Sequence, residues 1–145
     1  MDLRDVLREK GSSIHSIAPT ATLGDVVCAL MRHRCGALLV CAEPEAQCGM
    51  VGIVTERDIL RACAERSGAI DAVRLADYMT TKLITGNPND SVDYTLNVMT
   101  DHRIRHLPVL DGERLVGLVS IGDLVKSLHH QTAVENHYLK SYIQG

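Results

Sequence analysis

Phenylalanine and tryptophan are both absent from this sequence of 145 residues, and aromatic residues make up only 3% of it. A hydrophobic core must therefore be built from aliphatic side chains, which the 46% hydrophobic content supplies in quantity. The chain also lacks an apolar run of about 18 residues, the length that predicts a membrane-spanning helix. Its length suits one compact domain with a substantial core.

Charge and cysteine usage narrow the class of protein further. The formal net charge is −3 and no long basic run occurs, so no nucleic-acid surface is indicated. The charged start of the chain, residues 1–5, is unlike a secretory signal peptide. The five cysteines include no Cys-x-x-Cys pair. Cys28, Cys35 and Cys63 lie in apolar helical contexts, which predicts small buried hydrophobes in a reducing cytoplasm.

Motifs for catalysis and metal binding are missing as well. The seven histidines show no His-Glu-x-x-His spacing, and no Gly-x-Ser-x-Gly or Gly-x-x-x-x-Gly-Lys motif occurs. No histidine pair lies at zinc-ligand spacing near Cys41 and Cys48. The sequence therefore predicts neither a metal site nor an enzyme, although any cysteine with any histidine would satisfy a loose nucleophile–base description.

What the sequence does contain is one pattern written twice. Residues 52–58 and 117–123 each have Gly, two aliphatic residues, a hydroxyl residue, two variable residues and Asp. Pro19, His33 and Val40 recur 69 residues later, whereas the motifs lie 65 apart, so the first copy holds four extra residues before its motif. Two copies are too few for a solenoid. They predict a pseudo-twofold pair that buries one shared core, with a cleft on each side.

Periodicity and turn signals predict the same order of elements in each copy: strand, helix, strand, strand, helix. The predicted elements are strands 14–17, 37–41 and 50–54 with helices 23–34 and 56–66, then strands 83–85, 107–110 and 115–119 with helices 92–103 and 121–129. We therefore predict an α/β (α+β) fold of two β-α-β-β-α repeats. Its parts are an N-terminal helix 1–10, a first repeat 11–68, a linker 69–80 that is partly helical, a second repeat 81–130 and a C-terminal helix 131–145.

The repeated pairs, Thr55 with Asp58 and Ser120 with Asp123, lie where a strand ends and a helix begins. The first N–H groups of a helix lack intrahelical partners and attract anions such as phosphate. The hydroxyl can donate to a phosphate oxygen, and the carboxylate can accept from two neighbouring ribose hydroxyls. An ordinary capping box would use the same two residues. Both interpretations stay open, and recurrence in both copies favours a ligand.

Cations accompany each motif, but at different positions. Arg57 lies inside the first motif, and the second motif has no counterpart. Arg105 and His106 precede the hairpin of the second copy, where the first copy has Gly36 and Ala37. An arginine can grip phosphate in two directions. The alternative is a solvated rim of charges.

Taken together, these residues resemble a tandem CBS-domain pair, a family named after cystathionine beta-synthase and also called the Bateman module. The resemblance is carried by the repeated element order and by residues 51–60, 77–80 (Asp-Tyr-Met-Thr) and 106–109 (His-Leu-Pro-Val). It covers roughly residues 10 to 130. Little of the chain lies outside the pair, so it is similar to stand-alone bacterial members.

The resemblance implies a regulatory module without catalysis, which binds adenosyl ligands in the two clefts between the repeats. AMP or NAD(H) is the favoured ligand, and ATP, ADP and S-adenosylmethionine are further candidates. The family's ribose-binding Asp maps to Asp58 and Asp123, and its hydroxyl partner to Thr55 and Ser120. The adenine slot maps to Ser12, Ile14 and Cys35 beside Ser120 and Asp123, and to Thr81, Leu83 and Ile104 beside Thr55 and Asp58. Family pairs commonly dimerise into a flat disc, which predicts a homodimer.

The first repeat departs from the family pattern, since it lacks a proline at the position of Pro108 and basic residues at those of Arg105 and His106. We therefore expect the Ser120/Asp123 cleft to bind a phosphorylated adenosine more tightly. Three functions stay open: a nucleotide sensor acting on an unidentified regulated protein, a dimerisation or interaction module with vestigial clefts, and an unrecognised enzyme. The intact hydroxyl–Asp pairs favour the sensor. Neither a nucleic-acid partner nor a membrane partner is indicated.

Overall fold

The computed structural model of the chain describes residues 1–11, 13–44 and 48–144. The described chain divides into two compact units. The repeat-1 unit is Ser13–Ile84, and the repeat-2 unit joins the N-terminal segment to the chain from Thr85 onward. Helices and small sheets occur in both units, so the predicted mixed α+β fold is confirmed.

The repeat-1 unit contains a three-stranded sheet in the order β1 (Ser16–Ile17), β2 (Ala37–Glu43) and β3 (Cys48–Thr55). Strand β1 pairs with β2 in parallel, and β2 pairs with β3 as an antiparallel hairpin. These elements match the predicted order, and β1 is shorter than predicted. In chain order they are β1 (Ser16–Ile17), α2 (Leu23–His33), β2 (Ala37–Glu43), β3 (Cys48–Thr55) and α3 (Glu56–Glu65), preceded by α1 (Leu3–Lys10) of the other unit.

The core of the repeat-1 unit is aliphatic, as the absence of Phe and Trp predicts, with Tyr78 as its aromatic member. The chain after α3 contributes to it, because Leu23 N–H donates to Val73 O at 2.8 Å and Leu75 N–H donates to Ala21 O at 3.0 Å. The predicted linker helix is reduced to a 3₁₀ turn over Leu75–Asp77. The core side chains come from α2, the hairpin and this connecting segment: Leu23, Val26, Leu30, Leu38, Val40, Val54, Ile70, Val73, Leu75 and Tyr78.

The repeat-2 unit pairs β4 (His106–Asp111) with β5 (Arg114–Ser120) in an antiparallel hairpin. The predicted strand 83–85 is not formed, which corrects that expectation; a single parallel bridge joins Gly86 to Val109 instead. Gly86 stands where the first copy has Ile17, and glycine is a poor strand former. A Cβ on Gly86 would lie 2.9 Å from Leu3 Cδ1 of α1. The elements are α4 (Val92–Asp101), β4 (His106–Asp111), β5 (Arg114–Ser120) and α5 (Ile121–Gln144).

Helix α1 packs on the repeat-2 unit, although the first repeat follows it in sequence. It begins with a reciprocal capping box between Asp2 and Asp5. Leu3, Val6 and Leu7 are its buried residues. Helix packing onto a sheet at this closeness requires glycine, and a Cβ built on Gly117 of β5 would collide with the Leu7 side chain.

The C-terminal region differs from the prediction of two separate helices, because α5 runs without a break from Ile121 to Gln144. No Gly or Pro interrupts the sequence between them. Residues 129–143 of α5 are all exposed, including Tyr138 and Tyr142, which are 73% and 87% exposed. No helix in the described parts of the chain is both long enough and apolar enough to cross a membrane.

One cysteine expectation is also corrected. Cys28 is exposed, whereas Cys35 and Cys63 are half-buried rather than buried and pack against the repeat-1 core. Cys28 lies on α2 outside the stripe formed by Val26, Ala29 and Leu30, which face the core. Apolar neighbours in sequence do not bury a helical residue that lies on the opposite face.

Candidate functional site

Both copies of the repeated motif lie at a strand-to-helix junction, as predicted. Thr55 ends β3 and is followed by α3, and Ser120 ends β5 and is followed by α5. The strand residues before them, Val54 and Val119, are fully buried and anchor each junction in its core. Each motif therefore presents a hydroxyl, the first N–H groups of a helix and a carboxylate at one place.

In the repeat-1 unit the carboxylate of Asp58 turns back onto the strand end. Its Oδ2 accepts from Thr55 N–H at 2.9 Å and from the Thr55 hydroxyl at 3.4 Å. The Arg61 guanidinium lies 3.6 Å from Oδ1 and donates to Tyr78 O at 3.0 Å. Asp58 is only 8% exposed. Burial raises the pKa of Asp58 above its ordinary value, against the lowering effects of Thr55 and Arg61.

In the repeat-2 unit Asp123 occupies the same position with a different partner. Its Oδ2 accepts from Ser120 N–H at 2.9 Å, and Asp123 N–H donates to Ser120 Oγ at 3.1 Å. The same Oδ2 accepts from Lys10 Nζ at 2.6 Å. Burial alone would raise the pKa of Asp123, but the hydrogen bonds from Lys10 and Ser120 outweigh it, so the pKa lies below its ordinary value.

The two motifs therefore share their geometry, but the pKa of the aspartate is raised in the first and lowered in the second. Both aspartates cap the helix start, which confirms the capping interpretation. That role does not exclude a ligand, because one acceptor oxygen serves the cap and a carboxylate has two. The ligand interpretation stays a prediction.

Strand pairing sets the predicted cations beside the second motif. His106 lies opposite Ser120 in the β4–β5 hairpin, and Arg105 O accepts from Ile121 N–H at 2.9 Å. The first copy has the same framework with neutral residues, since Ala37 lies opposite Thr55 and the carbonyl before it accepts from the first N–H of α3 at 3.1 Å. The difference between the two sites therefore lies in side chains, not in backbone.

The corners that lead into the two hairpins also repeat. Arg34 and Arg103, which are 69 residues apart in sequence, both adopt the left-handed conformation, with φ of 52° and 54°. This conformation is uncommon outside glycine, so its recurrence at matched positions marks a backbone corner that both copies of the repeat share. Sequence patterning alone did not indicate it.

The other predicted site residues are distributed between the units. Thr81 and Leu83 share the repeat-1 unit with Thr55 and follow Thr80, whose backbone pairs with Ile53 of β3. Ile14 and Cys35 also belong to the repeat-1 unit, whereas Ile104 belongs to the repeat-2 unit. Arg57 is exposed on the first turn of α3. Ser12 lies outside the described residues. Clefts that combine residues of both units stay a prediction.

Two side chains at the motifs were missed by sequence reasoning. Arg61 lies three residues after Asp58, a helical spacing that could have indicated it. Lys10 lies at the end of α1, 113 residues from Asp123, and no local signal connects the two. Within the described residues no group of three or more His, Cys, Asp or Glu side chains is arranged to hold a metal ion.

A family model decides the classification of this repeated fold. The model of the CBS domain matches the chain twice, at residues 3–65 and 75–130. The chain belongs to the CBS-domain family. The CBS pair is 37% identical to the mitochondrial CBS domain-containing protein CBSX3 of Arabidopsis thaliana, over 99% of this chain and 72% of that protein.

Solved structures resemble the CBS pair along most of its length. A CBS-domain protein from Agrobacterium tumefaciens superposes with a TM-score of 0.82 at 32% identity, covering 88% of this chain and 98% of that one. A CBS domain protein from Pyrobaculum aerophilum, solved in complex with AMP, gives 0.72 at 31% identity, covering 85% and 89%.

Proposed function

We propose that this CBS pair is a regulatory, non-catalytic module that binds adenosyl ligands in two clefts. The observation that carries the proposal is the hydroxyl–carboxylate pair repeated at two strand-to-helix junctions, Thr55 with Asp58 and Ser120 with Asp123. Each junction offers N–H groups and a hydroxyl to a phosphate, and a carboxylate to a ribose. A structural relative is solved in complex with AMP, which supports this class of ligand.

AMP or NAD(H) is the ligand we favour, with ATP, ADP and S-adenosylmethionine as alternatives. Asp58 and Asp123 would bind ribose, and Thr55 and Ser120 would donate to phosphate. Arg57 would add a cation to one site, and Arg105 and His106 to the other. The adenine ring would contact Ser12, Ile14 and Cys35 at one site and Thr81, Leu83 and Ile104 at the other.

A thermal-shift panel with AMP, ATP, NADH and S-adenosylmethionine tests the proposal. A ligand at 100 times its dissociation constant stabilises the folded chain by about 2.7 kcal/mol. For a chain of this size we expect the melting temperature to rise by roughly 5–10 °C with the physiological ligand. The fragments ribose 5-phosphate and adenine, tested alone, separate the contributions of the two parts of AMP. If no adenosyl compound shifts the melting temperature at millimolar concentration, the sensor proposal is wrong.

The alternative function is a dimerisation or interaction module, and the exposed apolar residues of α5 favour it. Val134, Tyr138, Leu139, Tyr142 and Ile143 are all exposed. Exposed apolar surface of this kind is typical of protein interfaces. The alternative does not exclude the sensor, since a regulatory module acts through a partner.

We predict that the chain forms a homodimer in solution, because a second copy is the commonest means of covering such a surface. Light scattering at micromolar concentration is expected to give twice the 15.8 kDa of one chain. A dilution series serves as the control, since a weak, non-specific association would dissociate on dilution. A mass of one chain throughout the series contradicts the prediction.

A further inference from the structure

Lys10 makes two short contacts at the repeat-2 motif that have no counterpart among the described contacts of repeat 1. Its ammonium donates to Asp123 Oδ2 at 2.6 Å and to Leu118 O at 2.7 Å. The two side chains are 31% and 26% exposed. Lys10 closes the last turn of α1, and the buried Leu3 and Leu7 hold that helix on the unit. The contact is therefore part of a packed arrangement of α1 on β5.

We infer that Lys10 is a specificity-determining residue of the repeat-2 site, because its ammonium competes with a ribose diol for the Asp123 carboxylate. The inference rests on the proposed function. Each carboxylate oxygen has two lone pairs. Oδ2 of Asp123 already accepts from Ser120 N–H and from Lys10 Nζ, so both of its acceptor positions are taken. A diol that uses both carboxylate oxygens must displace the ammonium.

The repeat-1 site has no such competitor among the described contacts. Asp58 Oδ2 accepts from Thr55 N–H, and the Thr55 hydroxyl is a distant second donor at 3.4 Å. Its ion-pair partner, Arg61, is 3.6 Å from the other oxygen and also donates a hydrogen bond to Tyr78 O. Asp58 therefore accepts a diol without breaking a short ion pair, and adenosine fills the repeat-1 site first.

This effect opposes the one expected from Arg105 and His106, but it acts on another part of the ligand. Those cations act on the phosphate, whereas Lys10 acts on the ribose. Adenosine, which has no phosphate, is governed by Lys10 alone. AMP is subject to both effects. Comparison of the two ligands separates them.

The test is calorimetric titration of adenosine and AMP into full-length Asp58→Ala protein with and without Lys10→Gln, so that the repeat-2 site alone reports. Removing a partly exposed ion pair that competes with the ligand should raise the ligand affinity roughly twofold to fivefold. We expect Lys10→Gln to raise the affinity for adenosine and for AMP by the same factor within that range. The gain should shrink for 2′-deoxyadenosine, which lacks one of the competing hydroxyls.

Arg8→Gln is the matched control, because it removes one positive charge from the same helix. The Arg8 side chain is 72% exposed, and its ion-pair partner is Asp5 at 3.7 Å rather than Asp123. Its affinities should equal those of the parent. Unchanged affinity in Lys10→Gln overturns the inference, and so does a loss confined to AMP, which would make Lys10 a phosphate ligand. If wild-type protein binds neither these two compounds nor any other adenosyl ligand of the thermal-shift panel, the proposed function fails, and the inference fails with it.

Lysine acylation followed by mass spectrometry gives a second measurement on the unmodified sequence. Ligand binding is expected to increase the reactivity of Lys10, because displacement from Asp123 frees its amine. The exposed Lys126 on α5 is the internal reference, and its reactivity should stay constant. Equal or lower Lys10 reactivity at saturating adenosine contradicts the competition.

Discussion

Replacing Asp123 with alanine is expected to abolish adenosyl binding at one site and leave the Asp58 site intact, so that the stoichiometry falls from two ligands per chain to one. Asp58→Ala should have the mirror effect. Each charge-assisted hydrogen bond contributes roughly 1.5–3 kcal/mol, so loss of two ribose contacts weakens binding by at least about a hundredfold. Calorimetry on the two single variants and on the double variant measures the effect.

The chain provides a control that separates capping from ligand binding. Asp25 forms a reciprocal capping box with Thr22 at the start of α2, with no proposed ligand role. Asp25→Ala should cost about 0.5–2 kcal/mol of stability, as capping losses do, with both ligands still bound. If Asp58→Ala and Asp123→Ala behave like Asp25→Ala, the repeated motif is only a cap.

Leu3→Ala is expected to destabilise the chain by about 2–5 kcal/mol, the cost of a cavity at a fully buried leucine. Leu3 is 0% exposed and contacts Gly86, so α1 is an integral part of the repeat-2 unit. Loosening α1 should also weaken the hold of Lys10 on Asp123. Urea denaturation followed by circular dichroism measures the change in free energy.

Leu60→Ala is the matched control, since Leu60 on α3 is 72% exposed. Exposed substitutions usually change stability by no more than about 0.5 kcal/mol. A Leu3→Ala effect as small as that of Leu60→Ala would mean that α1 is not packed in solution as it is in the structure.

Much of the repeat architecture could be predicted because its signals are local. Thr22 with Asp25 marks the start of α2, and the repeated motif marks the starts of α3 and α5. Both hairpins follow from two aliphatic runs around a turn. The ends of α2, α3 and α4, in contrast, were predicted one or two residues too far, because the last turn depends on where tertiary packing stops. The predicted strand 83–85 is reduced to a single bridge at Gly86, because glycine is a poor strand former.

Exposure was less predictable than secondary structure. The hydrophobic sequence around Cys28 predicted burial, but its position on α2 turns it away from the core. The connecting segment after α3 was expected to be a linker, yet Ile70, Val73 and Leu75 complete the repeat-1 core. Which of several apolar segments covers a given face depends on contacts between residues distant in sequence, and periodicity carries no information about them.

The sequence by itself determined the duplicated motif, its place between strand and helix, the aliphatic core and the difference in cations between the two copies. These follow from residue type and spacing over a few residues. Only the tertiary structure placed α1 on the second repeat and brought Lys10 to Asp123 across 113 positions. That contact lowers the pKa of Asp123, whereas burial raises that of Asp58. Two carboxylates with the same local sequence role thus acquire different properties, because electrostatic environment is set by neighbours in space.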